Sequence, residues 1–125
     1  MAHKFKPNVG TKVSKTDAED WIAKYDKTHR KDKDHDTKSV FYGRDALLRL
    51  LSEESSTGIT FFFALKPDEE TKKDKVQLVL VPTREDGTLI WGDDSSVAKS
   101  TSSAAVYDAT GGPVDNGLAC PPSCP

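Results

Sequence analysis

Two apolar runs dominate the hydropathy pattern, residues 59–65 (ITFFFAL) and 76–81 (VQLVLV), separated by a charged connector at 66–75. Both are rich in β-branched and aromatic residues and bounded by polar turn formers, which predicts two strands. Side chains alternate across a strand, so Ile59, Phe61, Phe63 and Leu65 share one face and Thr60, Phe62 and Ala64 the other. In the second run Val76, Leu78 and Leu80 lie opposite Gln77, Val79 and Val81. Both faces are therefore substantially apolar. Helices are expected to cover one; the other, carrying Phe62, Val79 and Val81, needs the tail or another subunit. Asp86-Gly87 signals a two-residue hairpin turn, which predicts a third strand over 88–91, and Pro82 marks a bulge or an unpaired edge.

Upstream the period changes to that of a helix. Ala18, Trp21, Ile22 and Tyr25 fall at i, i+3, i+4 and i+7, leaving Asp20, Lys24 and Lys27 to face water. Two N-caps fit the pattern: Ser14, with Asp17 three residues on and Val13 placed to staple onto Ala18, or Thr16 with Glu19 two residues later. Trp21 and Tyr25 are the kind of pair that stacks on a base or a sugar, but at this spacing beside Ile22 they read as a core face. After a short extended piece at 40–42 and Gly43, the residues Leu47, Leu48, Leu50 and Leu51 give a second helix a broad apolar face. Gly58 then supplies a turn before the first strand. These elements predict an α+β domain over residues 13–91, two helices packed on one face of a three- to four-stranded antiparallel meander. An extended arm (1–12) precedes it, and a Ser/Gly/Pro-rich tail (92–125) follows. Within that low-complexity tail, residues 104–107, including Tyr107, are a fourth-strand candidate.

Composition limits what this domain does. At 125 residues, 35% hydrophobic and 30% charged, the chain supports one small core. A formal charge of −2 argues against coating a nucleic-acid backbone, which needs net positive surface. The charge is uneven, +4 over residues 1–49 and −6 over 50–125, so the halves either neutralise each other or steer self-association. No apolar window is long enough to span a bilayer, and no apolar stretch follows the basic N-terminus, so a cytoplasmic location without a membrane partner is expected.

Candidate chemistry is sparse. Residues 29–39 (HRKDKDHDTKS) place Asp32, Asp34 and Asp36 as the first three ligands of a calcium loop. The sixth and twelfth positions of such a loop are then Thr37 and Gly43 instead of Gly and Glu, and the interleaved lysines repel a divalent cation. The segment reads as a solvated linker with His29 and His35 as surface residues. Glu85, Asp86, Asp93 and Asp94 lie in turns without an oriented partner, and neither a nucleophile elbow nor a phosphate-binding glycine loop is present. No enzyme activity, cofactor or metal site is expected from these residues. The one distinctive motif is Cys120-Pro121-Pro122-Ser123-Cys124. Polyproline II geometry would separate its cysteine Cα atoms by about 12 Å, so an internal disulfide requires a tight turn. Metal binding would require His3, His29, His35 or a second chain.

The helix with Trp21-Ile22, the Phe41-Tyr42-Gly43-Arg44-Asp45 entry to a leucine-rich helix, the hairpin and the Cys-Pro-Pro-x-Cys ending together resemble a group of short, uncharacterised bacterial proteins. The long 66–75 connector and the Ser-rich tail depart from that pattern. The resemblance implies an architecture and brings no activity, cofactor or catalytic residue. The expected function is that of a non-enzymatic structural or interaction protein. It self-associates, or binds another protein, through the sheet face carrying Phe62, Val79 and Val81, the edge of the 59–65 strand, and the tail with Tyr107. The alternative is a thiol-based redox or metal-binding protein acting through Cys120 and Cys124.

Overall fold

A computed structural model of the chain describes residues 4–92 and 112–125. In chain order the elements are α1 (Lys15–His29), β1 (Ser39–Phe41), α2 (Arg44–Leu51), β2 (Gly58–Pro67), β3 (Asp74–Thr83) and β4 (Leu118–Cys120). The α+β class and both helices are as the sequence predicts. The meander is not: the described strands form two separate antiparallel pairs, β2 with β3 and β1 with β4. Tyr107 and the fourth-strand candidate lie outside the described residues.

The central hairpin is longer than its apolar runs. Lys66 pairs with Lys75 and Pro67 with Asp74, so most of the charged connector is strand and only residues 68–73 remain as a loop. Asp68 closes that loop by accepting from the Thr71 backbone N–H (3.1 Å) and hydroxyl (3.0 Å). At the other end, Arg84 N–H donates to Thr88 O and Gly87 N–H to Arg84 O. The turn is therefore a three-residue loop with Gly87 at φ +91°, and not the two-residue turn that Asp-Gly suggests. After it the chain makes only a bridge, Thr83 opposite Leu89, with Ile90 N–H donating to Pro82 O. The predicted third strand is reduced to this bridge.

Asp86 mirrors Asp68, accepting from the Thr88 N–H (3.0 Å) and hydroxyl (2.8 Å). In both cases the backbone hydrogen bond, followed by the hydroxyl, holds the carboxyl below the usual 3.8. A carboxyl whose pKa is depressed by folding stabilises the fold above its unfolded value, and that stabilisation is lost as pH falls through the folded value. The melting temperature should be insensitive to these groups from pH 7 to 5 and fall below about pH 4. The fall should be shallower in Asp86→Asn, as followed by circular dichroism.

The core forms where α2 meets the hairpin. Leu50, Leu80 and Val114 are buried together, with Tyr42, Ala46, Leu47, Ile59 and Leu78 packed around them. On the sheet face that both helices were expected to cover, Ile59, Leu78 and Leu80 pack into this core while Phe61, Phe63 and Leu65 stay exposed. The larger departure is α1. Of the two caps the sequence allows, Ser14 is the one used, accepting from the Asp17 N–H, yet no residue of the helix is buried. Its Trp21–Ile22–Tyr25 stripe faces solvent and does not pack on the sheet.

What holds α1 to the body is the segment read as a solvated linker. Arg30, just past the helix, is buried and donates through Nε to Asp36 O (2.7 Å), through Nη2 to Lys33 O (2.9 Å) and through Nη1 to the Asp26 carboxylate. Residues 31–36 thus wrap around a guanidinium. Asp36 and Asp32 turn their carboxylates onto the loop's own N–H groups, those of Lys31, Asp32 and Asp34. Tyr25 donates to Thr37 O (3.4 Å).

The C-terminal segment completes the fold. Val114 exchanges two backbone hydrogen bonds with Leu80 (2.9 and 2.8 Å), and β4 pairs with β1 in the register Val40 opposite Ala119. Gly117 makes this possible by lying against Val40 and Tyr42: a Cβ there would sit 2.6 and 2.7 Å from Tyr42 ring carbons and collide with Val40. Gly117→Ala should lower stability by about 1–3 kcal/mol, measured by urea unfolding.

Candidate functional site

Carbonyls of alternate residues in a strand point to opposite edges. Those of Asp74, Val76, Leu78, Leu80 and Pro82 point away from β2, and each accepts a hydrogen bond from a different part of the chain. His35 Nε2 lies 3.0 Å from Asp74 O, Thr37 Oγ1 donates to Val76 O (2.6 Å), and the Tyr42 hydroxyl donates to Leu78 O. Val114 N–H serves Leu80 O and Ile90 N–H serves Pro82 O. Burial, with the Asp115 charge adding, raises the Tyr42 pKa, which keeps its hydroxyl a donor. Every outward carbonyl of β3 is thus occupied, and the Leu80 N–H is bonded as well.

Among the described residues nothing pairs with the outer edge of β2. The register places Thr60, Phe62, Ala64 and Lys66 in hydrogen-bonded positions against β3, so the N–H and C=O groups of Ile59, Phe61, Phe63 and Leu65 point outward. Among the described residues none of these groups has a partner. Their side chains share one sheet face, and beyond Ile59, which packs into the core, Phe61 is 50%, Phe63 84% and Leu65 69% exposed. Between Ile59 and Leu65 there is no proline, charge or bulge of the kind that blunts an edge strand.

The residues expected to form the contact face are distributed differently. Val81 is fully buried, Val79 is half-buried, and Phe62 stacks on Trp91 with ring centroids 6.4 Å apart. The face expected to stand open is therefore partly closed by Trp91. The face expected to be closed presents Phe61, Phe63 and Leu65.

Cys120 and Cys124 form a disulfide with Cα atoms 4.6 Å apart, and the peptide bonds before Pro121 and Pro122 are cis. The same turn is held by Ser123 N–H to Ala119 O (2.9 Å), Lys38 N–H to Cys120 O (2.7 Å) and the buried Lys75 Nζ to Pro121 O (2.6 Å). Hydrogen bonds therefore fix this ending as well as sulfur. Among the described residues no three His, Cys, Asp or Glu side chains gather as a metal site would need, and His35 is turned to Asp74 O. No described helix is long and apolar enough to cross a membrane.

No protein-family model matches the chain, and neither a curated protein nor a solved structure is detectably similar to it.

Proposed function

We propose that this chain is a non-enzymatic interaction protein that self-associates by adding strands along the outer edge of β2. The reading is carried by the contrast between the two edges of one hairpin. Five separate donors occupy the outward carbonyls of β3, whereas among the described residues β2 keeps four outward-facing residues unpaired beneath an exposed aromatic face. An edge of this kind pairs with another extended segment, and a second β2 is the matching one. Two β2 strands meeting antiparallel about a two-fold axis would set Phe61 opposite Leu65 and Phe63 opposite its own copy. That pairing would make the four-stranded sheet which one chain does not complete. The assembly works without cofactor, nucleic acid or membrane, in the cytoplasm.

The second reading, thiol chemistry at Cys120 and Cys124, is favoured by their bonded proximity. Disulfides are uncommon in a reducing cytosol, where the turn would rest on its hydrogen bonds. Sedimentation equilibrium of the full chain, with and without reductant, separates the readings. Association that survives reductant and is weakened about a hundredfold in Phe63→Glu supports the β2 contact. Association lost only with reductant supports the thiols, and a monomer under every condition sinks self-association.

A further inference from the structure

The stripe that should have been core is a second surface. Trp21 is 63% and Ile22 51% exposed, and Val13 and Tyr25 beside them are also exposed. The charges that flank the stripe identify what covers it. Asp17 and Lys24 are seven residues apart, two helical turns, and so lie on one flank next to Trp21. Lys15 and Asp26 are eleven apart, three turns, and lie on the other flank next to Ile22. Each flank carries one acid and one base. Both pairs are centred on the same point, the peptide bond between Asp20 and Trp21.

That arrangement is self-complementary under one operation. A two-fold axis perpendicular to α1 lays a second helix antiparallel on the first and brings like flanks together at mirrored heights. Asp17 then meets the Lys24 position of the other copy, Lys24 meets its Asp17 position, and on the far flank Lys15 and Asp26 do the same. A parallel pairing in register would instead bring unlike flanks together, Lys24 falling beside the Asp26 that is already engaged, and would align the two helix dipoles, which the antiparallel pairing opposes. Among the described residues Asp17 and Lys24 make no ion pair, whereas Asp26 already holds Arg30 and Lys33. We infer that α1 is an antiparallel docking surface for the α1 of a second copy, with Trp21 at the two-fold axis and the Asp17 and Lys24 positions setting orientation.

The contact is separate from the β2 edge. A fifteen-residue helix is only about 22 Å long, so the pair buries far less than the roughly 1,600 Å² of a standard interface, and the dimer is a weak one. Its ion pairs are exposed and weaken with salt.

The test uses the full chain carrying Phe63→Glu, so that β2 pairing is disabled, and follows its size by sedimentation velocity up to several hundred micromolar. Dimer formation is expected. Adding Asp17→Lys or Lys24→Glu should each raise the dimer Kd about tenfold, because the two-fold axis makes every reversal count twice. Asp17→Lys also removes an acid from the helix N-terminus, so its loss alone does not decide. Mixing decides. The Asp17→Lys chain and the Lys24→Glu chain should each fail to pair with themselves yet pair with one another, since every flank contact is then attractive again. Within one helix, residues seven apart do not touch, so local helix stability cannot produce that rescue. With Trp91→Phe added, the remaining Trp21 emission should move to shorter wavelength as dimer forms. A Phe63→Glu chain that stays monomeric, a mixture no more associated than its components, or a Trp21 emission independent of concentration overturns the α1 contact. The β2 reading is untouched by any of these outcomes.

Discussion

Replacing Phe63 with glutamate should weaken self-association about a hundredfold while leaving the monomer folded. Phe63 is the most exposed large apolar residue on β2, so the monomer buries little of its ring and loses little when it changes. In an antiparallel β2 pair the two Phe63 rings would meet across the axis, each losing about 2 kcal/mol of apolar burial on substitution. Two carboxylates brought together there add repulsion, and about 2.7 kcal/mol already corresponds to a hundredfold in Kd. Unchanged ellipticity and melting temperature, together with a shifted sedimentation equilibrium, would separate loss of a contact from loss of fold. An unaltered Kd would remove the β2 edge from the account.

Arg30→Ala should act on stability instead. The guanidinium donates to two backbone carbonyls and the Asp26 carboxylate from a buried position, and its removal leaves all three acceptors to find water. Removing one partner of such a cluster costs about 2–4 kcal/mol, a large share of what a domain this size has. The melting temperature should fall by about 10 °C or more. Arg30→Lys should recover only part of this, because a single ammonium cannot span Asp36 O, Lys33 O and Asp26 as a planar fork does. Equal melting temperatures for the native chain and Arg30→Ala would mean that the 30–36 loop contributes nothing to folding.

These two residues also mark where the sequence was readable. The 3.6-residue period placed both helices, the start of α1 was narrowed to a cap at Ser14 or Thr16, and alternation placed the two long strands on the right residues. Which face of the hairpin would be covered was not legible. That depends on how far an eight-residue helix reaches across two ten-residue strands, a property of packing and not of either segment. The stripe at Trp21 likewise has the composition of a core helix, and nothing local records that the chain turns it outward. Arg30 sat unnoticed within a charged run because its partners are mostly carbonyl oxygens, which every residue owns. The sealing of β3 was invisible for the same reason: His35, Thr37 and Tyr42 donate to backbone acceptors from positions 36 to 39 residues away.

The order in which the β3 edge is sealed bears on synthesis. His35, Thr37 and Tyr42 are translated before β3, so their carbonyl partners are covered as soon as that strand emerges. Leu80 must wait for Val114, and β1 must wait for β4. The intervening stretch of roughly 40 residues takes a ribosome about 2 to 8 s to translate. During that interval the nascent hairpin is bare along β2 and open at Leu80 as well. Copies growing side by side on one messenger RNA would meet in this state, before either has its finished edge.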